Sequence, residues 1–167
     1  MTNVLILSTS GIAGATPSAW GSPSLIQWNS VTPSNSYPYL MSCISGGNCT
    51  AVGTYSTQSD SIAHPFAVSE IAGVWQPGKS ISFPESGTSG ASLMKVQCFS
   101  IGNCAALGNT YWQGGSAPFF VKESSGVWGS PVVIPGFDAG QGLTLACSNS
   151  ENCVMGGTLN RDGNLGH

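Results

Sequence analysis

Six cysteines stand in three Cys-x5-Cys segments: Cys43–Cys49 (CISGGNC), Cys98–Cys104 (CFSIGNC) and Cys147–Cys153 (CSNSENC). Asparagine precedes the second cysteine each time. A chain that restates a short motif at a long period is built from stacked supersecondary units. Aligned on the cysteines, the first unit runs through TAVGTY to Tyr55, a polar loop, HPFAVSE to Glu70 and AGVW to Trp75. The second runs through AALGNTY to Tyr111, a polar loop, APFFVKE to Glu123 and SGVW to Trp128. The third restarts at Cys147 and continues VMGGTL, with Leu159 in place of the tyrosine. Its missing back half lies at the other end of the chain, where SAWGSP around Trp20 matches GVWGSP around Trp128. The expected organisation follows. Residues 1–19 are a signal-peptide remnant or a first strand, and 20–42 are the back half of a repeat. Residues 43–97 and 98–146 are two whole repeats, and 147–167 are a front half.

Each unit reads as about four strands. LMSCIS is short and apolar, and CTAVGTY and CAALGNTY suit a buried inner strand. PFAVSE and PFFVKE alternate, with proline where a strand can open without losing a ladder bond. The repeated tryptophan opens a fourth strand, expected to end at Pro33, Pro84 or Pro135. Trp20, Trp75 and Trp128 are expected to pack between sheets. RDGN at 161–164 is a hairpin signal. No helical period appears, so the chain is all-β.

Six cysteines allow fifteen pairings, but the repeat narrows them, because each unit must close the same way. Three local disulfides across hairpins are expected: Cys43–Cys49, Cys98–Cys104 and Cys147–Cys153. They place the protein in an oxidising compartment, secreted or extracellular, with periplasm and cell surface as variants. Zinc prefers shorter cysteine spacing, and only two histidines, His64 and His167, are present. No metal or cofactor is expected. Asn48, Asn103 and Asn152 are read as turn residues that tolerate a left-handed backbone, although Asn48-Cys49-Thr50 is formally a glycosylation sequon.

The string C-x-S-x-x-N-C-x-A-x-G, followed by P-F-x-V-x-E-x-x-G-V-W, resembles a repeat of secreted bacterial proteins. The resemblance covers Trp20 to His167 and implies β-propeller-like blades, each with a small disulfide. It implies no particular activity. Propellers close with about four to eight blades, and this chain holds about three. Either two chains share a six-bladed ring, or the chain is part of a longer protein, or the fold is a β-trefoil of three four-stranded units.

Composition narrows the partners. Only 7% of residues are charged, against about a quarter in an ordinary domain, while 41% are hydrophobic. Four scattered basic residues and a net charge of −3 exclude a phosphate-binding groove, so no nucleic acid partner is expected. No stretch is long and apolar enough to span a membrane. Ala13-Gly14-Ala15 offers a cleavage pattern, but no basic residue precedes it. A missed signal peptide, a first strand and a loose tail all remain open.

No catalytic set emerges, and the chain is not expected to be an enzyme. His64 and His167 hold equivalent loop positions. Glu70 and Glu123 recur with the repeat, which spreads them apart rather than facing them across a cleft. Asp162 sits in a turn with too few ligands for calcium. The candidates for contact are the aromatics that do not recur, Trp28, Tyr37, Tyr39 and Trp112, the last within the Tyr111-Trp112-Gln113 run, read as a loop before APFF. The first functional expectation is a non-enzymatic module that binds a glycan or cell-surface protein. The alternative is a self-assembling subunit of a ring, sheath or fibre, a homo-oligomer joined through the strand edges of incomplete blades.

Overall fold

The computed structural model describes residues 5–6, 23–60, 62–83, 88–135, 141–149 and 151–158. The packing of Trp20, the pattern at 13–15, the Pro84 strand end, Leu159, the 161–164 turn with Asp162, and His167 lie outside them. The described residues are all-β, with no helix.

Sheet 1 is an antiparallel meander of β3 (Pro33–Ser45), β4 (Asn48–Thr57) and β5 (His64–Ile71). Its last edge carries two short segments, β6 (Val74–Trp75) and β7 (Lys79–Ser80), both paired to β5. Their registers differ by one residue, so together they form one fourth strand broken by a bulge around Pro77. Sheet 2 repeats this with β8 (Thr88–Ser100), β9 (Asn103–Trp112), β10 (Gly115–Ser124), β11 (Val127–Trp128) and β12 (Val132–Val133). A third hairpin joins β13 (Gln141–Cys147) to β14 (Cys153–Thr158). Near the start of the chain, β1 (Leu5–Ile6) pairs antiparallel with β2 (Ser24–Leu25).

The expected disulfides form in all three hairpins, each between cysteines directly opposite in register. Four residues before the first cysteine, each hairpin carries the same extra residue: Tyr39, Met94 and Leu143. The first strands are longer than LMSCIS suggested. Pro33 opens β3 instead of ending a fourth strand, and the fourth strands stop at Ser80 and Val133. A proline at a strand's first residue loses no ladder bond, which makes it as good an opening as a stop.

Alternation gives each sheet two apolar faces. One core lies between the sheets, with Val52, Ala67 and Ile81 from the first unit against Leu93, Val96, Phe119 and Val121 from the second. A second core, on the opposite face of sheet 1, holds Ala51, Tyr55, Phe66 and Val68 under Ile26, Trp28 and Val31. First strands are also tied to one another. Ser42 Oγ accepts the Cys98 N–H at 3.0 Å, and Gln97 Oε1 accepts the Cys147 N–H at 2.8 Å. Ser42 and Gln97 each stand just before a first cysteine, so the same position makes the same link from unit to unit.

Candidate functional site

The recurrent asparagine has a different role from the one expected. The left-handed positions are Gly47 and Gly102, at φ 76° and 70°, not Asn48 and Asn103. Glycine takes that conformation without the Cβ penalty, which frees the asparagine side chain to bond. Asn48 Nδ2 donates to Ser45 Oγ at 3.0 Å, and its Oδ1 accepts the N–H of Ala72 at 3.1 Å. Asn103 does the same with Ser100 and Ser125. Ala72 and Ser125 both sit at φ 50° in the tight turn between third and fourth strands. The disulfide hairpin therefore clamps the turn beside it, and Asn48 is held at both ends of its amide.

The six candidate aromatic and polar residues divide into three groups. Trp28 is engaged in the core, its ring 5.0 Å from Tyr55 and 5.3 Å from Phe66. Tyr111 and Trp112 are not in a loop. They end β9, and only Gln113 and Gly114 form the two-residue turn, with Gly114 at φ 97°. Neighbours in a strand point to opposite faces, so Tyr111 and Trp112 cannot serve one surface. Trp112 lies against Gly115, while Gln113 is exposed at the turn.

Tyr37, Tyr39 and Tyr111 lie near enough for their phenols to interact electrostatically. Tyr37 and Tyr39 are 54% and 51% exposed, and Tyr111 is half-buried. Partial burial raises the Tyr39 hydroxyl above its ordinary pKa, and the nearby phenols of Tyr111 and Tyr37 raise it further. Tyr39 is the extra residue of its bulge, and a bulge re-aims a side chain that regular pleating would fix. Two sheets thus contribute phenol rings to one patch.

The recurring acids are buried. Glu70 and Glu123 are 3% and 2% exposed, each opposite the second cysteine of a disulfide in register. Glu70 Oε1 and Glu123 Oε2 have no hydrogen-bond partner. The sequence signal was present: an acid recurring where its strand neighbours are apolar marks a shared buried position. Burial pushes the Glu123 carboxyl above the usual range, with Lys79 pulling the other way. An acid whose pKa rises on folding stabilises the fold when protonated. That contribution is complete below the ordinary carboxylate pKa and is lost as pH rises through the raised value. Glu123→Gln is therefore expected to raise the melting temperature at pH 7.5 by about 2–4 °C and to have little effect at pH 4. Thermal melts at the two pH values check this, and an equal shift at both would remove titration as the cause.

His64 belongs to neither group. Its Nε2 lies 3.1 Å from both carboxylate oxygens of Asp60, and its ring stacks on Tyr55 at 5.2 Å. It opens β5, not a loop, and the hydrogen bond it makes holds Asp60 below its ordinary pKa. Among the described residues no three His, Cys, Asp or Glu side chains gather as a metal site, and no helix is long and apolar enough to cross a membrane.

No family model matches this chain, and neither does any curated protein or solved structure.

Proposed function

We propose that this chain is a secreted, propeller-like β-repeat module that binds a glycan or a cell-surface protein without catalysis. Three disulfides support the oxidising compartment. Face-to-face stacking of antiparallel meanders supports propeller-like blades over a trefoil. The binding reading is carried by the tyrosine patch. Phenol rings offer a broad apolar face with a polar edge, suited to stacking on sugars or anchoring a protein partner, and they lose little rotamer freedom on binding. Tyr37 and Tyr39 stand on β3 and Tyr111 on β9, both paired strands, which favours a low ordering cost on binding.

Tyr39→Ala is expected to weaken binding on a glycan array or to intact cells by about tenfold or more, the size of an interface anchor. The melting temperature should stay within about 2 °C, since the ring is half exposed. Unchanged binding by Tyr39→Ala and Tyr111→Ala would remove the patch from consideration.

The second reading, a self-assembling extracellular subunit, draws on a separate observation. Among the described residues β1 pairs only with β2, and β14 only with β13, so each keeps an open edge.

A further inference from the structure

The segment after β2 occupies the place of a fourth strand. Fifty-five residues separate Trp20 from Trp75, and the same step carries β2 to β7, Ile26 to Ile81 and Trp28 to Phe83. Ile26 is 5% exposed above Phe66 and Val68 in one core. Ile81 is 3% exposed above Phe119 and Val121 in the other. Pairing agrees. Leu25 and Ser24 face Leu5 and Ile6 in β1, just as Ser80 and Lys79 face Phe66 and Ala67 in β5. Thus β1 stands where a third strand stands, and β1 and β2 are the back half of a sheet.

The other half is β13 and β14. They have the disulfide, the register and the bulge of a first and second strand. Where sheets 1 and 2 place a third strand beside the second, β14 has none among the described residues. The consequence shows at Ile134, the equivalent of Ile26 and Ile81. It bonds Pro118 as Ile81 bonds Pro65, yet it is only half-buried. Beneath it runs an open apolar cleft lined by Phe120, Val133, Leu145 and Met155. In the two complete interfaces that position is filled by the third-strand phenylalanine, Phe66 or Phe119.

A matching surface is uncovered at the front of sheet 1. On β8, Leu93 and Val96 are buried by sheet 1. Their equivalents on β3 are Pro38 and Met41, and both are exposed, Met41 by 40%. This face is distinct from the tyrosine patch: Pro38 and Met41 share a face with Gly53 and Ala51, whereas Tyr37 lies opposite Thr54 on the other.

We propose that a second copy of this chain completes the split sheet. The β1 strand of one copy adds to the open edge of β14 of its neighbour, antiparallel. Sheet 1 fixes the register: Phe66 faces Gly53 and Ala67 faces Val52, so Leu5 faces Gly157 and Ile6 faces Gly156. Leu5 then takes the register position that Phe66 holds in sheet 1, next to the cleft under Ile134. The neighbour's β13–β14 hairpin covers Pro38 and Met41. The described residues of each copy supply two whole sheets and two half sheets, so two copies joined in this way make six blades, a number that closes around an axis. The head-to-tail contact then closes as a ring with one composite sheet at each junction. Ala146, the residue before Cys147, has no side chain to make the Ser42-type link, so the junction rests on strand pairing and apolar contact. This inference rests on the assembly reading and is independent of the tyrosine site.

The test places the photo-crosslinking residue p-benzoylphenylalanine at Leu5, where an aromatic ring mimics Phe66. Copies labelled with 14N and 15N are mixed under oxidising conditions, irradiated and mapped by mass spectrometry, alongside sedimentation of the unmodified chain. The expected result is a two-chain mass and mixed-isotope crosslinks from residue 5 into residues 153–158. Crosslinks to β14 within single-isotope chains of monomeric mass would overturn it in favour of closure inside one chain. A monomer with no link to β14 would overturn it together with the assembly reading. A two-chain or larger mass without mixed links to β14 would overturn the strand register while leaving assembly standing.

Discussion

Full reduction of the three disulfides is expected to lower the melting temperature by about 12–24 °C. Each bond closes a loop of seven residues, because each pair is six apart in sequence. Loop entropy for that length gives about 2 kcal/mol per bond, so about 6 kcal/mol for three. A domain's whole stability is about 5–15 kcal/mol, and each kcal/mol is worth about 2–4 °C at this chain length. The strands that the bonds support are poor in side-chain bulk: after Cys104, β9 runs through Ala105 and Ala106 to Leu107 and Gly108. Without the crosslink, the Asn48 and Asn103 clamps lose their anchor, and the tight turns at Ala72 and Ser125 lose theirs in consequence. The bonds should not yield together. Cys104 is 1% exposed within the core, whereas Cys43 is open to solvent. Stepwise reduction with alkylation and mass spectrometry should open Cys43–Cys49 before Cys98–Cys104. Thermal melts with and without a phosphine reductant check the total. A change of under about 3 °C would mean that the hairpins hold themselves without their crosslinks.

How much of this was legible in advance depends on the range of the physics involved. The Cys-x5-Cys repeat gave the pairing, because a short closed hairpin is a local object and recurs unchanged. The all-β character was legible from period-two alternation for the same reason. Trp28 shows the limit. It breaks no pattern in its own segment, and only the sheet beneath it makes it a core residue. Tyr111 and Trp112 read as loop because polar residues surround them, yet the two-residue Gln113–Gly114 turn lets both strands run to their full length. Asn48 and Asn103 recur visibly in the sequence, but the left-handed conformation belongs to the preceding glycine. Their real partners, Ala72 and Ser125, are 24 and 22 residues away, beyond any local signal. The tyrosine patch joins residues of different sheets and needed the fold.

Gly108→Ala is expected to cost about 3 kcal/mol or more, although it adds one methyl group and leaves an ordinary strand conformation. The glycine four residues after the second cysteine in the two complete sheets, Gly53 and Gly108, is required for space, not for backbone freedom. A Cβ on Gly108 would run into the carbonyl oxygen of Ser92 and the ring of Phe119. At Gly53 the obstacles are the equivalent ones, the carbonyl of Tyr37 and the ring of Phe66. The cause is the bulge. An extra residue at Met94 or Tyr39 kinks the first strand and drives its backbone against the second at this point. A ring can turn aside, but a carbonyl held in a ladder cannot, so overpacking here falls on the backbone. Two comparisons separate the causes. Gly46→Ala, where a Cβ meets nothing within 4 Å, should change stability by less than about 0.5 kcal/mol. Phe119→Leu placed on Gly108→Ala removes the ring but not the carbonyl, and should restore little of the loss. Urea denaturation of the three variants reads the differences directly. If Phe119→Leu restored most of the stability, the ring would be the obstacle and β8 free to shift. If Gly108→Ala were itself neutral, the bulge would not hold the two backbones together, and the shared geometry of the three hairpins would need another cause.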